Sequence, residues 1–222
     1  MDASFWHQKW ADNNIAFHNR ESHPLLVKHF DALSLAEGSR IFLPLCGKTL
    51  DIAWLLSRGY CVAGAELSKI AVDQLFAALG CDFTLVQRGK ITHYIAENID
   101  IFAGDIFQLS GNVLGSVDAI YDRAALVALP REMRDRYTAH LVEITNAAPQ
   151  LLICYEYDQT LMAGPPHAIS HKEVAEHYQN SYRLKLVESK EVPNGLKGKC
   201  PATENVWLLG NNRTVANQQH RK

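Results

Sequence analysis

From Arg40 onward, short apolar runs bounded by Gly, Pro and Asp alternate with segments whose apolar residues recur at helical spacing. Ile41 to Leu45 stops at Cys46-Gly47-Lys48, after which Leu50, Ile52, Ala53, Trp54, Leu55 and Leu56 mark a helix ending at Arg58-Gly59. Tyr60 to Leu67 reads as a second strand, and Ile70, Ala71, Leu75, Phe76 and Leu79 as the apolar face of a helix that stops at Gly80. Strand, helix and strand predict a right-handed crossover. Ile99 to Ala103 is a third strand and Val117 to Tyr121 a fourth, the latter before a helix over Glu132 to Ile144. Leu151 to Tyr157 is a fifth strand, leading into Asp158 and the loop Ala163-Gly164-Pro165-Pro166. Residues 81 to 98 carry no regular pattern. After a helix over Glu173 to Tyr178, Tyr182 to Val192 and Asn205 to Leu209 are separated by a spacer without helical period, so they are expected to pair antiparallel.

Residues 1 to 35 read as a helical cover: Trp6 and Trp10 stand four apart on one face, and Ser22 before Pro24 reads as a helix cap. The alternation predicts an α/β fold with a doubly wound, mostly parallel sheet over residues 40 to 209, followed by a polar tail from 211 to 222. The length of 222 residues favours one domain. Ligands of such sheets bind outside the carboxyl ends of the strands. That directs attention to Leu45 to Lys48, Glu66, Asp105, and Asp122 with Arg123.

Charge and cysteine usage narrow the function. A net charge of -2 provides no basic excess for nucleic acid. No apolar run approaches the roughly 18 residues of a membrane span, and the N-terminus has no signal-peptide pattern, so a cytoplasmic location is expected. The 5 cysteines are odd in number and contain no Cys-x-x-Cys pair, which predicts reduced thiols and no zinc site. His167 and His171 lack the glutamate of a His-Glu-x-x-His site, so no metal is expected there.

Gly47 occupies the first strand-to-helix turn, and Glu66 ends the second strand 21 positions after Leu45, where nucleotide-binding sheets place a ribose-binding acid. Gly47-Lys48-Thr49 resembles the end of a P-loop, but Phe42 stands where that loop requires glycine. The turn also lacks the Gly-x-Gly-x-x-Gly of dinucleotide sites. An adenosine ligand without phosphates remains, and S-adenosylmethionine fits that description.

Five segments stand in order over about residues 5 to 209: Phe5-Trp6-His7-Gln8-Lys9-Trp10 with Phe17-His18; Pro44-Leu45-Cys46-Gly47-Lys48; Gly64-Ala65-Glu66-Leu67-Ser68; Tyr121-Asp122-Arg123-Ala124-Ala125-Leu126-Val127-Ala128; and Tyr157-Asp158 with Gly164-Pro165-Pro166. Together they resemble the thiopurine S-methyltransferase family, its bacterial members most closely. The resemblance implies a class I methyltransferase, with a Rossmann-like sheet of seven strands and an antiparallel final strand. It implies S-adenosylmethionine as cofactor, a small-molecule thiol as acceptor and a monomer. Trp10 and Trp6 would lie over the cofactor, Leu45 against its methionine portion, Glu66 on the ribose hydroxyls and Asp105 beside the adenine. Phe17 would approach the acceptor, and Arg123 would sit at the junction of the two sites and favour a thiolate. Asp122 would orient Arg123 or relay a proton. Asp105 could instead simply initiate a turn after Gly104, and Asp122 could equally be a turn acid. Where the family tends to place a second acceptor-side arginine, this chain offers Lys197 and Lys199. Methylation of selenium or tellurium compounds, and binding of S-adenosylmethionine without turnover, are the competing readings.

Overall fold

The structure is a computed structural model that describes residues 3–15 and 18–211. Phe17 and the tail from residue 212 lie outside the described residues. The strands are β1 (Arg40–Pro44), β2 (Cys61–Glu66), β3 (Thr84–Arg88), β4 (Ile91–Ala96), β5 (Ile99–Ala103), β6 (Ala119–Arg123), β7 (Gln150–Tyr157), β8 (Tyr182–Glu191) and β9 (Ala202–Asn211). They form one sheet in the order β3-β4-β5-β2-β1-β6-β7-β9-β8. The strands from β5 to β7 pair in parallel, and β9 runs antiparallel to β7 and β8.

The seven strands from β5 to β8 reproduce the expected doubly wound arrangement, and the hairpin β3–β4 extends it along the β5 edge. Residues 81 to 98, patternless in sequence, supply that hairpin. At this open edge most of β3 is exposed, so no core-facing alternation betrays the strand. The central strands read as unbroken apolar runs because both of their faces are covered. On one face Ile41, Leu43, Val62 and Ile101 pack with Leu26, Ile52, Leu55 and Phe76. On the other, Phe42, Ala63, Phe102 and Leu152 pack with Tyr137, Leu141, Val174 and Tyr178.

The helices are α1 (Ala3–Ala11), α2 (Pro24–His29), α3 (Asp51–Ser57), α4 (Lys69–Leu79), α5 (Gly111–Leu114), α6 (Arg131–Ile144) and α7 (His171–Tyr178). In α4 the Ser68 hydroxyl accepts from the Ala71 amide at 3.4 Å, and Gly80 closes the helix at φ +63°. The N-terminal cover is helical as expected and consists of two separate helices, α1 and α2, with Asn14, His18 and Asn19 from between them forming part of a cavity wall. His23, rather than Ser22, caps α2, its Nδ1 accepting from the Leu25 amide at 3.3 Å.

Stability should decline from the middle of the sheet toward the β3 edge, because β3 has one hydrogen-bonded neighbour and little burial. Native-state amide exchange is expected to be slowest in β1, β2 and β6 and fastest in β3. Equal protection in β3 and β1 would contradict this gradient.

Candidate active site

At the carboxyl ends of β1 and β6 the chain leaves the sheet through residues in left-handed backbone: Leu45 at φ +47° and Ala124 at φ +63°. A non-glycine residue held there is strained by about 1–3 kcal/mol, and such strain clusters at functional sites. The two bends part the chain on either side of a cavity of about 510 Å³, within the range of small-molecule sites.

Glu66, the last residue of β2, organises one side of this cavity. Its Oε2 accepts from the Gly47 amide at 2.8 Å and its Oε1 from the Ser68 amide at 2.7 Å. Its backbone carbonyl accepts from the Gly104 amide at 2.8 Å, so one residue ties together the turns that follow β1, β2 and β5. The side chain is buried, and burial pushes its carboxyl up to about 7 against the opposing pull of the amide hydrogen bonds. Gly47 adopts φ +55°, and a Cβ there would stand 3.0 Å from Trp10 Cζ2. The Trp10 ring therefore closes directly over the turn, which glycine alone accommodates at that approach. The Lys48 ammonium lies 5.9 Å from the same ring.

The opposite side is set by β6, β7 and β9. Arg123 lines the cavity beside Tyr121, Ile153, Tyr155 and Glu204. The Tyr155 hydroxyl is within hydrogen-bonding reach of both Arg123 and Glu204, and burial raises it well above the ordinary tyrosine value, so it stays protonated. Asp51 is buried and fully engaged, accepting from the His23 amide at 2.7 Å and the Tyr121 hydroxyl at 3.1 Å. His18 also borders the cavity. Burial lowers its pKa first, and the Lys48 and Arg123 charges lower it further, which favours the neutral imidazole.

The structure brings Trp6, Trp10, Leu45, Gly47, Glu66 and Arg123 together around this one cavity. Phe17 lies outside the described residues. Asp105 is exposed, is not among the lining residues, and spends its carboxylate on the Phe107 amide at 3.1 Å as the cap of a short turn. Asp122 also departs from its expected place. Alternation along β6 sends it to the face opposite Tyr121 and Arg123, where it accepts from the Leu126 amide at 3.1 Å and the Tyr137 hydroxyl at 2.8 Å. There it anchors the turn after β6 and is not placed to orient Arg123 or relay a proton from the cavity. Of the two lysines, Lys197 lines the cavity and donates to the Pro165 carbonyl at 2.7 Å, whereas Lys199 does not line it. Asp51, Tyr121, Tyr155, Glu204 and His18 were not singled out by sequence for the site. They converge only through strand pairing and loop return, and only His18, beside Phe17, and Tyr121, beside Asp122, carried a hint, each standing in one of the family-like segments.

Comparison with known proteins agrees with this geometry. The profile of the family described as thiopurine S-methyltransferase matches residues 1–209. The thiopurine S-methyltransferase of Xanthobacter autotrophicus is 52% identical over 94% of this chain and 99% of its own length. That of Teredinibacter turnerae is 50% identical over 96% and 99%. Among solved structures, the 1,6-didemethyltoxoflavin-N1-methyltransferase of Burkholderia thailandensis, with 1,6-didemethyltoxoflavin and S-adenosylhomocysteine bound, superposes with a TM-score of 0.64 at 15% identity, covering 94% of this chain and 87% of that one. The chain belongs to the thiopurine S-methyltransferase family and has the fold of the S-adenosylmethionine-dependent methyltransferases.

Two buried carboxyls of the strand ends should titrate far from their ordinary values of 4.5 and 3.8: Glu66 near 7 and Asp122 near 6. Between the ordinary and the raised values the folded chain holds protons that the unfolded chain has released. Their contribution to stability therefore falls as pH rises from about 4 to about 7, by something on the order of 3 kcal/mol each. Carboxyl carbon NMR titration of the ligand-free protein checks this. Midpoints at the ordinary values for both groups would contradict it.

Proposed function

We propose, from membership of this family, that the chain transfers a methyl group from S-adenosylmethionine to the sulfur of an aromatic or heterocyclic thiol. The observation that carries the reading is the opposition, across one cavity, of a diol-binding carboxylate and a cation. Glu66 closes β2 with its carboxylate fixed by two turn amides, and Arg123 closes β6 two strands away.

The residues present fit the cofactor. The first turn has a single glycine and no phosphate cradle, while the carboxylate oxygens of Glu66 keep lone pairs beyond their two amide bonds and can accept from ribose hydroxyls. We assign Leu45 to the methionine portion and Trp10 and Trp6 to the cover over the cofactor. Asp105, at the mouth of β5, would meet the adenine only from outside the cavity lining. S-adenosylmethionine supplies an electrophilic methyl group on a positively charged sulfur. Everything else required is positioning, since an in-line displacement gains most from holding the reactants aligned.

Arg123 performs that positioning on the acceptor. Its charge stabilises sulfur in the anionic form and lowers the thiol pKa. The neighbouring walls, from Trp10, Leu43, Val127 and Ile153, exclude water and strengthen the electrostatic attraction of Arg123 for the thiolate. Tyr155, kept protonated by burial, supports the guanidinium without competing for the proton. None of the five cysteines forms a disulfide. Among the described residues no helix is long and apolar enough to cross a membrane.

Replacing Arg123 by alanine is expected to lower kcat/KM about 100-fold for thiols whose pKa lies above the assay pH, the usual loss when a charge-stabilising donor is removed. Thiols already ionised should lose less, S-adenosylhomocysteine binding should remain, and Arg123→Lys should be partly active because charge persists without the planar fork. The check is a rate series over aryl thiols of graded pKa. A uniform loss across the series, or a loss confined to cofactor affinity, would place Arg123 outside acceptor activation.

A further inference from the structure

The acceptor side of the cavity carries an anion that the proposed transfer does not use. In the sheet register Arg123 stands opposite Ile153 and Tyr155 opposite Glu204, and Ile153 and Tyr155 are two apart on one strand. Residues directly opposite, and residues two apart, share a face, so all four side chains rise on the same side of the sheet. All four also line the cavity.

Glu204 is held without being consumed. Its Oε1 is buried and lies 3.3 Å from His23 Nε2. His23 Nδ1 accepts from the Leu25 amide at 3.3 Å, which assigns its proton to Nε2 and turns that N–H toward Glu204. The His23, Tyr155 and Arg123 side chains outweigh burial and keep the Glu204 carboxyl below its usual value, so it is a carboxylate at neutral pH. The side chain nonetheless retains 19% exposure at the cavity wall. Asp51, the neighbouring acid, differs: a partner occupies each of its oxygens. Oε1 is buried against His23, so a ligand donor at the cavity wall would meet the other carboxylate oxygen, and a carboxylate accepts about four hydrogen bonds, more than His23 and Tyr155 supply.

We propose that Glu204 selects the acceptor: its carboxylate accepts a hydrogen bond from a ring N–H adjacent to the carbon that bears sulfur, while Arg123 faces the sulfur. This rests on the methyl transfer argued above and gives it a substrate class, heteroaromatic thiols that exist as N–H thiones, over plain aryl thiols; with such an acceptor Arg123 meets the partly negative sulfur of a thione in place of a full thiolate. The electron count favours the arrangement. As the neutral thione sulfur bonds to the methyl carbon and the donor's sulfur–methyl bond breaks, positive charge appears on the ring nitrogen. The N–H bond to Glu204 strengthens at that moment. Loss of the N–H proton to water then leaves the neutral S-methyl heterocycle, with S-adenosylhomocysteine as the other product.

The test compares three acceptors in wild type, Glu204→Gln and Glu204→Asp: 2-mercaptopyridine, whose N–H adjoins the carbon bearing sulfur; 4-mercaptopyridine, whose N–H is remote; and thiophenol, which has none. S-adenosylhomocysteine binding verifies that each variant is folded. For Glu204→Gln, the loss of kcat/KM on 2-mercaptopyridine is expected to exceed the loss on the other two by about 10- to 100-fold, the usual weight of a hydrogen bond to a charged group. Glu204→Asp, which keeps the charge but withdraws it, should fall between. Equal losses on all three acceptors would overturn the proposal, since a residue that merely braces Arg123 or the fold cannot sense where the N–H is. A wild-type protein that binds S-adenosylhomocysteine yet methylates none of the three would overturn the methyl-transfer reading and this inference with it. Thiophenol turnover without preference for either pyridine would overturn the inference alone.

Discussion

The carboxylate of Glu66 is the constraint on which the site depends. It bonds the Gly47 amide after β1 and the Ser68 amide after β2, while its own carbonyl holds the Gly104 amide after β5. Three strand-end turns are thereby fixed by a single residue at the centre of a parallel sheet. Burying a carboxylate is expensive, and its rise to about 7 measures how strongly the surroundings resist the charge. Two amides are enough to hold the group in place but leave its lone pairs short of partners. A ligand diol would complete the set, so the same bonds that build the turns also prepare the site.

The acceptor side follows a different logic. Here polar groups are distributed across three strands, with Arg123 on β6, the neutral Tyr155 on β7 and Glu204 on β9, and their order is imposed by sheet register. Because β9 returns antiparallel beside β7, residues almost fifty positions apart in the chain become cross-strand neighbours, as Tyr155 and Glu204 do. The strained bends at Leu45 and Ala124 hold the chain away from the mouth between the two sides.

This division explains what could be read from sequence. The central strands and their helices were legible because burial on both faces yields unbroken apolar runs, and caps such as Ser68 and Gly80 mark their limits. The Glu66 side was legible too, since its parts lie in two consecutive strand-turn-helix units at a recurring spacing. The exposed hairpin β3–β4 was missed because an edge strand with little burial leaves no alternation. Asp122 shows the limit of reading strand ends by position: it neighbours Arg123 in sequence, but the period of two in a strand sends it to the opposite face, bonded to Tyr137. Tyr155, Glu204 and Asp51 could not be tied to the site without knowing which strands pair.

If Glu66 is the group that receives the cofactor ribose, binding must draw it from the protonated toward the ionised form, because hydroxyl donors stabilise the carboxylate. The most direct measurement is calorimetric titration of wild type and Glu66→Gln with S-adenosylhomocysteine between pH 5.5 and 8, in buffers of different ionisation enthalpy. In wild type the affinity should rise with pH and level off above about 7, with proton release on binding below that point. In Glu66→Gln the affinity should be weaker and the pH dependence should disappear. A wild-type affinity that is flat across this range, with no proton exchanged, would contradict the assignment of Glu66 to the cofactor.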